Sequence, residues 1–297
     1  RIMKVLVTGA KGQLGFDVIN ELIKRNHIAI GVDLEEMDIT DAASVKTVIT
    51  QNHPDALIHC AAWTAVDAAE DKENIETVRL VNAEGTKNIA IVCGEQNIKM
   101  MYISTDYVFD GTGTAPWQPD CKDYKPLNVY GQTKLLGEQA VTAALSNYFI
   151  VRIAWVFGKN GNNFIKTMLR IGKNHNTLSV VNDQIGTPTY TYDLARLLVD
   201  MIETNKYGFY HATNSGGYIS WYDFAAEIFR QAAAMGHKDY DTGHLTVRPV
   251  TTAEYGISKA ARPFNSRLDK SKLTKNGFKP LPDWKDALGR YLREIEF

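Results

Sequence analysis

The sequence of 297 residues predicts an α/β protein, a parallel sheet wound by helices on both faces, followed by a smaller C-terminal lobe that is discontinuous in sequence. Three observations carry that expectation. Short apolar, β-branched runs alternate with stretches of helical periodicity up to Gly158. A glycine-rich turn joins the first such run to the first helical stretch. Beyond Gly158 the alternation fades, although Phe209-Tyr210-His211-Ala212 reads as one more strand returning to the sheet. The expected division is residues 1–157 plus 187–212 for the first lobe and 158–186 plus 213–297 for the second.

Lys4-Val5-Leu6-Val7-Thr8 is the first strand, and Val18, Ile19, Leu22 and Ile23 mark the first helix. Between them Gly9-Ala10-Lys11-Gly12-Gln13-Leu14-Gly15 permits a tight turn, so free N–H groups at the helix start can hold a pyrophosphate. Strand, glycine turn and helix in this order are the opening of a Rossmann-like doubly wound sheet. Gly9, Lys11, Gly12, Gln13, Leu14 and Gly15 are therefore candidate dinucleotide contacts. Ile28–Val32 reads as the second strand, with Asp33 at its carboxyl end, at the distance from the glycines expected for a ribose contact. That carboxylate favours NADH, while Lys11 can attract a 2′-phosphate, so NADPH or NADH both stay open. Asp38, with Thr40 and Asp41, is a candidate cap for the helix expected around Ala43–Gln51.

Ala56–Cys60 reads as a third strand buried on both faces, followed by Ala61-Ala62-Trp63-Thr64, where the small residues let a flat cofactor lie against the backbone. Asn82 belongs to the next helix, where it can stabilise a kink. Lys99–Ser104 is the fourth strand and delivers Thr105 and Asp106 to its carboxyl end, the edge where parallel sheets bind ligands. The segment from Gly111 to Asn128, with Pro116, Pro119 and Pro126, is an expected loop over the site. Tyr130 and Lys134 then fall one helical turn apart on one face. A phenol with a pKa of about 10 donates poorly near neutrality, and a cation beside it favours the phenolate. An ordinary solvated pair is the other reading of that spacing. Phe149–Gly158 is expected as one continuous strand, with Arg152 a buried cation and Trp155 a core aromatic.

Lys plus Arg number 33 and Asp plus Glu 34, a formal charge of -1, so no basic field points to nucleic acid or an anionic membrane. A small-molecule substrate is expected. Cys60, Cys93 and Cys121 lie far apart, without metal-like spacing or a disulfide framework. No apolar run approaches the roughly 20 residues that span a bilayer, and the expectation is a cytoplasmic protein.

Taken together, Ala65-Val66-Asp67, Ser104-Thr105-Asp106-Tyr107-Val108-Phe109, Tyr130 with Lys134, and Asn162-Asn163-Phe164 resemble the dTDP-4-dehydrorhamnose reductases of the extended short-chain dehydrogenase/reductase family. The resemblance covers nearly the whole chain. It implies hydride transfer from NADPH or NADH to the C4 ketone of dTDP-4-dehydro-L-rhamnose, a dTDP-4-keto-6-deoxy sugar. It implies a catalytic set of Thr105, Tyr130 and Lys134, with Tyr130 as proton donor and Lys134 holding the nicotinamide ribose and depressing the tyrosine pKa. It also implies adenine contacts from Asp38 and Ile39, cofactor contacts from Ala61, Ala62, Trp63 and Thr64, a bracing Asn82, and sugar-nucleotide contacts from Asp106 and Trp155. Trp63 departs from the pattern, which usually has His or another aromatic there. Asp183–Thr189 and Arg262-Pro263-x-Asn265-Ser266 resemble substrate-side segments. Some members form homodimers around Mg2+; the nearest carboxylates here are Asp17, Asp193 and Glu294 or Glu296, and no local metal motif supports the ion. Related 4,6-dehydratases carry Asp-Glu after the threonine, where this chain has Asp106-Tyr107. A sugar-nucleotide 4-epimerase and a non-catalytic subunit resembling the regulator of methionine adenosyltransferase are the alternatives.

Overall fold

The computed structural model describes residues 1–256 and 258–297. The chain begins with β1 (Lys4–Thr8), α1 (Gln13–Lys24), β2 (Ile28–Val32), α2 (Ala42–Asn52) and β3 (Ala56–His59). A nearly continuous helix follows, α3 (Lys72–Arg79) and α4 (Thr86–Glu95) joined by a π-helical turn at Leu80–Gly85. Then come β4 (Lys99–Thr105), α5 (Val129–Ala144) and β5 (Tyr148–Ile153). The less regular half holds β6 (Val156–Phe157), α6 (Phe164–Gly172), β7 (Thr177–Val181), β8 (Ile185–Gly186), β9 (Thr189–Tyr190), α7 (Thr191–Ile202) and β10 (Gly208–His211). The chain closes with β11 (Ile219–Ser220), α8 (Trp221–Ala234), β12 (Thr246–Val250), α9 (Thr252–Tyr255), α10 (Ser271–Lys275) and α11 (Trp284–Glu294).

Six strands form the central sheet in the order β10-β5-β4-β3-β1-β2, every pair parallel. From β1 the chain first adds β2 on one side and then β3 on the other, so a crevice opens above the carboxyl ends of β1 and β3. One face of the sheet buries Val5, Val7, Val18, Leu22 and Leu198, where α1 and α7 pack. The other buries Leu6, Val45, Ile89, Met100 and Val141 against α2, α4 and α5. A third core gathers Phe157, Ile165, Phe224, Ile228, Leu288 and Tyr291 from β6, α6, α8 and α11.

Two expectations change. The strand expected through Gly158 breaks after Ile153, because Trp155 takes a left-handed φ of 53° and turns β6 out of the main sheet to pair with β9. The tail also does not stay with the second lobe, since Leu273, Phe278 and Leu281 are buried in the first core, beneath β10. Arg152 is a structural cation: fully buried, it meets Glu138 through Nε at 3.0 Å and Nη2 at 2.8 Å, and Tyr124 through Nη2 at 3.0 Å.

Candidate active site

The glycine turn is built for close approach. Gly9 has a φ of 65°, and a Cβ on Gly15 would lie 2.0 Å from the Gly9 carbonyl oxygen. No side chain caps α1 at Gly12, so its first N–H groups face the crevice without a protein acceptor from a cap. Gly9, Gly12, Gln13, Leu14, Gly15, Asp33, Asp38, Ile39, Ala61, Ala62 and Thr64 line one cavity of about 780 Å3. A backbone cradle that excludes side chains, a free helix start and a carboxylate at the end of β2 fit a dinucleotide. Asp38 also accepts from Thr40 N and Oγ1 at 3.0 and 2.7 Å, while Asp41 caps α2.

Two of the expected cofactor contacts lie off the cavity wall. Lys11 is exposed, and its backbone N–H reaches Asp33 Oδ1 at 3.3 Å. The Trp63 indole folds onto its own loop, donating to Ala65 O at 2.9 Å. What Trp63 supplies is its backbone: its N–H donates to Asn82 Oδ1 at 2.8 Å, and Asn82 Nδ2 donates to Thr133 Oγ1 on α5 at 3.1 Å. Asn82 sits in the π-helical turn, so the kink and the brace are the same feature.

A buried relay holds the neighbouring wall. Thr8 Oγ1 accepts from Cys60 N and Ala61 N, both at 3.0 Å, and lies 2.6 Å from His59 Nδ1. With its acceptor side taken, the Thr8 hydroxyl gives its proton to Nδ1, which makes Nε2 the protonated nitrogen, facing Thr86 Oγ1 at 3.0 Å. Thr86 passes its own proton to Asn82 O at 2.8 Å. Burial, with the Lys134 charge adding to it, holds His59 neutral by lowering its pKa to about 3. No local sequence signal marks His59, because the relay joins residues from β1, β3 and α4.

Thr105, Tyr130 and Lys134 converge on the same cavity. Thr105 ends β4 and its Oγ1 accepts Tyr107 N–H at 3.1 Å, leaving the hydroxyl proton to donate. Tyr130 is the second residue of α5, whose cap Asn128 accepts Gly131 N–H at 2.7 Å and donates through Nδ2 to Ala261 O at 2.9 Å. The expected effect of Lys134 on the phenol is absent. Burial raises the Tyr130 pKa, Tyr107 and Asp106 raise it further, and Thr105 offsets part of the rise. Lys134 Nζ instead donates to Ile103 O at 2.7 Å and lies 4.4 Å from the Tyr102 ring centroid. Burial pulls its pKa down to about 8 against the pull of Glu138.

At the outer end of the cavity stand Asp106, Tyr107, Trp155, Asn162, Trp221 and Arg262. Trp155 stacks on Trp221 with ring centroids 3.8 Å apart. Arg262 donates to Tyr107 OH at 3.2 Å and to Asp67 Oδ2 at 3.0 Å, joining three segments distant in sequence. Trp221 is absent from the sequence-derived set because only the meeting of the lobes brings it here. Asp106 is 2% exposed, and its Oδ2 has no hydrogen-bond partner. The loop from Gly111 to Asn128 does not line the cavity: Trp117 pairs with Arg267 and Asp269 backbone, and Pro119 O accepts from Arg152. Three of the four carboxylates considered for Mg2+ are engaged by protein groups, Asp17 by Thr191 at 2.5 Å, Asp193 by Arg290 at 2.7 and 2.8 Å, and Glu294 by Tyr190. Among the described residues no cluster of three metal-ligating side chains forms.

A family model described as the RmlD substrate binding domain matches residues 3–297. The dTDP-4-dehydrorhamnose reductase of Salmonella typhimurium is 39% identical over 99% of this chain and 98% of its own. A dTDP-4-keto-6-deoxy-D-glucose reductase of Streptomyces niveus is 38% identical over 95% of this chain and 94% of its own. The crystal structure of dTDP-4-dehydrorhamnose reductase from Bacillus anthracis in complex with NADP superposes with a TM-score of 0.91 at 39% identity, covering 99% of this chain and 100% of that one. The matched span takes in both lobes and every residue of the cavity, and on that extent the chain belongs to the RmlD substrate-binding-domain family, whose curated relatives include the dTDP-4-dehydrorhamnose reductases.

Proposed function

We propose that this protein is an NAD(P)H-dependent oxidoreductase that reduces the C4 ketone of dTDP-4-dehydro-L-rhamnose to dTDP-L-rhamnose, a step of nucleotide-sugar and polysaccharide biosynthesis. The observation that carries the reading is the convergence of Thr105, Tyr130 and Lys134 on the cavity that also holds the glycine turn. The bound reduced dinucleotide supplies the hydride. Tyr130 gives its phenolic proton to the oxygen that becomes the C4 hydroxyl. Thr105 donates a hydrogen bond to the same oxygen and fixes its position. Lys134, anchored on Ile103 O, presents its remaining N–H groups to the nicotinamide ribose. The lobe formed by 1–157 plus 187–212 holds the dinucleotide, and that formed by 158–186 plus 213–297 holds the sugar nucleotide, with 271–281 packed against the first. No helix among the described residues is long and apolar enough to cross a membrane, and the three cysteines are unpaired, in keeping with work in the cytoplasm.

The test follows the near-ultraviolet absorbance of NADPH and of NADH, each with dTDP-4-dehydro-L-rhamnose and with dTDP-4-keto-6-deoxy-D-glucose. Oxidation with the first sugar, giving dTDP-rhamnose, is the expected result. Oxidation with the second alone would move the activity to that of the Streptomyces relative. Dinucleotide binding without turnover on either sugar would favour the non-catalytic alternative.

A further inference from the structure

Asp106 is the side chain in this site whose chemistry the reaction above does not use. It follows Thr105 directly, lines the cavity, is almost wholly buried, and keeps one carboxyl oxygen without a protein partner. A buried carboxylate needs a cation or several donors, and an unpaired one is strongly disfavoured. The groups facing it are Tyr107 on its own turn, Tyr130 from α5 and Ser266 from the segment behind β8. The nearby cations are engaged elsewhere, Arg262 by Tyr107 and Asp67, and Lys134 by the Ile103 carbonyl.

We propose that Asp106 works as a neutral carboxylic acid, a second hydrogen-bond donor to an oxygen of the bound keto sugar beside Tyr130. This rests on the reductase reading. The acid form suits the reaction, because negative charge grows on the C4 oxygen as hydride arrives, and an ionised carboxylate beside it would oppose that charge. A donor there stabilises it, in the manner of a protonated aspartate kept neutral by an apolar site. Asp106 only lends a hydrogen bond, and the proton that is transferred comes from Tyr130. Burial pushes its carboxyl up to about 7, against the smaller opposing pull of Ser266, so the donor form is held below neutral pH and lost above it. The same charge state bears on Tyr130, whose phenol becomes harder to ionise once Asp106 is negative.

The experiment compares wild type with Asp106→Asn and Asp106→Ala in kcat and kcat/KM across pH, alongside infrared difference spectra of wild type at neutral pH with and without dTDP-sugar. Asn keeps a neutral donor, so Asp106→Asn is expected to lose clearly less in kcat than Asp106→Ala and to lose the alkaline fall in activity. Asp106→Ala is expected to lose about 10²-fold in kcat, as for removal of one donor to a developing oxyanion. The infrared spectrum is expected to show a protonated carboxyl band, absent from Asp106→Asn, that shifts when sugar nucleotide binds. A rate that rises through neutral pH in wild type, equal losses in the Asn and Ala variants, or a missing protonated band would overturn the proposal. If no sugar is reduced yet the band is present and shifts with dTDP, the reductase reading fails while the neutral donor stands.

Discussion

At the scale of single residues, desolvation decides the character of the site. The sequence spacing of Tyr130 and Lys134 puts both on one cavity, but spacing carries no information about burial, and burial, not the cation, sets the direction of the phenol's pKa. With the phenol pKa raised, Tyr130 is fully protonated at neutral pH and ready as an acid. Tyr130→Phe keeps the ring and removes that proton, so kcat is expected to fall by about 10²-fold or more with dinucleotide affinity retained, measured by steady-state turnover and by fluorescence titration. His59 makes the complementary point, since no motif reveals it and only the donor count around Thr8 assigns its tautomer. His59→Leu is expected to raise KM for the dinucleotide more than it lowers kcat, because the Cys60–Ala61 wall loses its anchor. His59→Gln, with one acceptor and one donor, is expected to restore much of the difference. A nitrogen NMR spectrum showing proton on Nδ1, or a charged ring at neutral pH, would contradict the relay.

At the scale of elements, the strands and helices of the first half were legible because hydrophobic period and glycine placement agree with each other. The break at Trp155 was not, because a non-glycine residue at positive φ has no composition signal. It is held in place by stacking on Trp221 and by β6 pairing with β9. Helix α5 is aimed by its cap. Asn128 closes the helix start through Oδ1 and secures the 260s segment through Nδ2, so one side chain fixes both Tyr130 and the approach to Arg262. Asn128→Ala is expected to cost about 1 kcal/mol of stability, the usual loss for a cap. A thermal melt reads this, and a parallel drop in kcat/KM would show that the cap also aims the phenol.

At the scale of the whole molecule, the cavity belongs to neither lobe alone. Gln13, in the glycine turn, accepts from Gly158 N at 2.9 Å and from Asn163 Nδ2 at 3.0 Å, so the dinucleotide turn and the start of the second lobe share one amide. The sequence pointed to Gln13 as a cofactor contact and to Asn163 by resemblance, yet it could not show that they touch across 150 positions. Ligand binding should therefore steady the whole fold. Dinucleotide at about 100 times its dissociation constant is expected to raise stability by about 2.7 kcal/mol, read as a rise in Tm that scales with concentration. A melt that splits into two transitions, with only one of them shifted, would show the lobes to be independent.

The third core has its own consequence. It is closed by Trp284, Leu288 and Tyr291 of α11, and Tyr291 OH reaches back to Gly158 O at 2.7 Å. During synthesis on a ribosome the six-stranded sheet can assemble once β10 and its covering tail emerge, but α6 and α8 must wait with part of their apolar faces bare until α11 clears the exit tunnel. The nascent chain thus passes through an interval in which the dinucleotide lobe is folded and its neighbour is open, and in that interval chaperones and proteases compete for it.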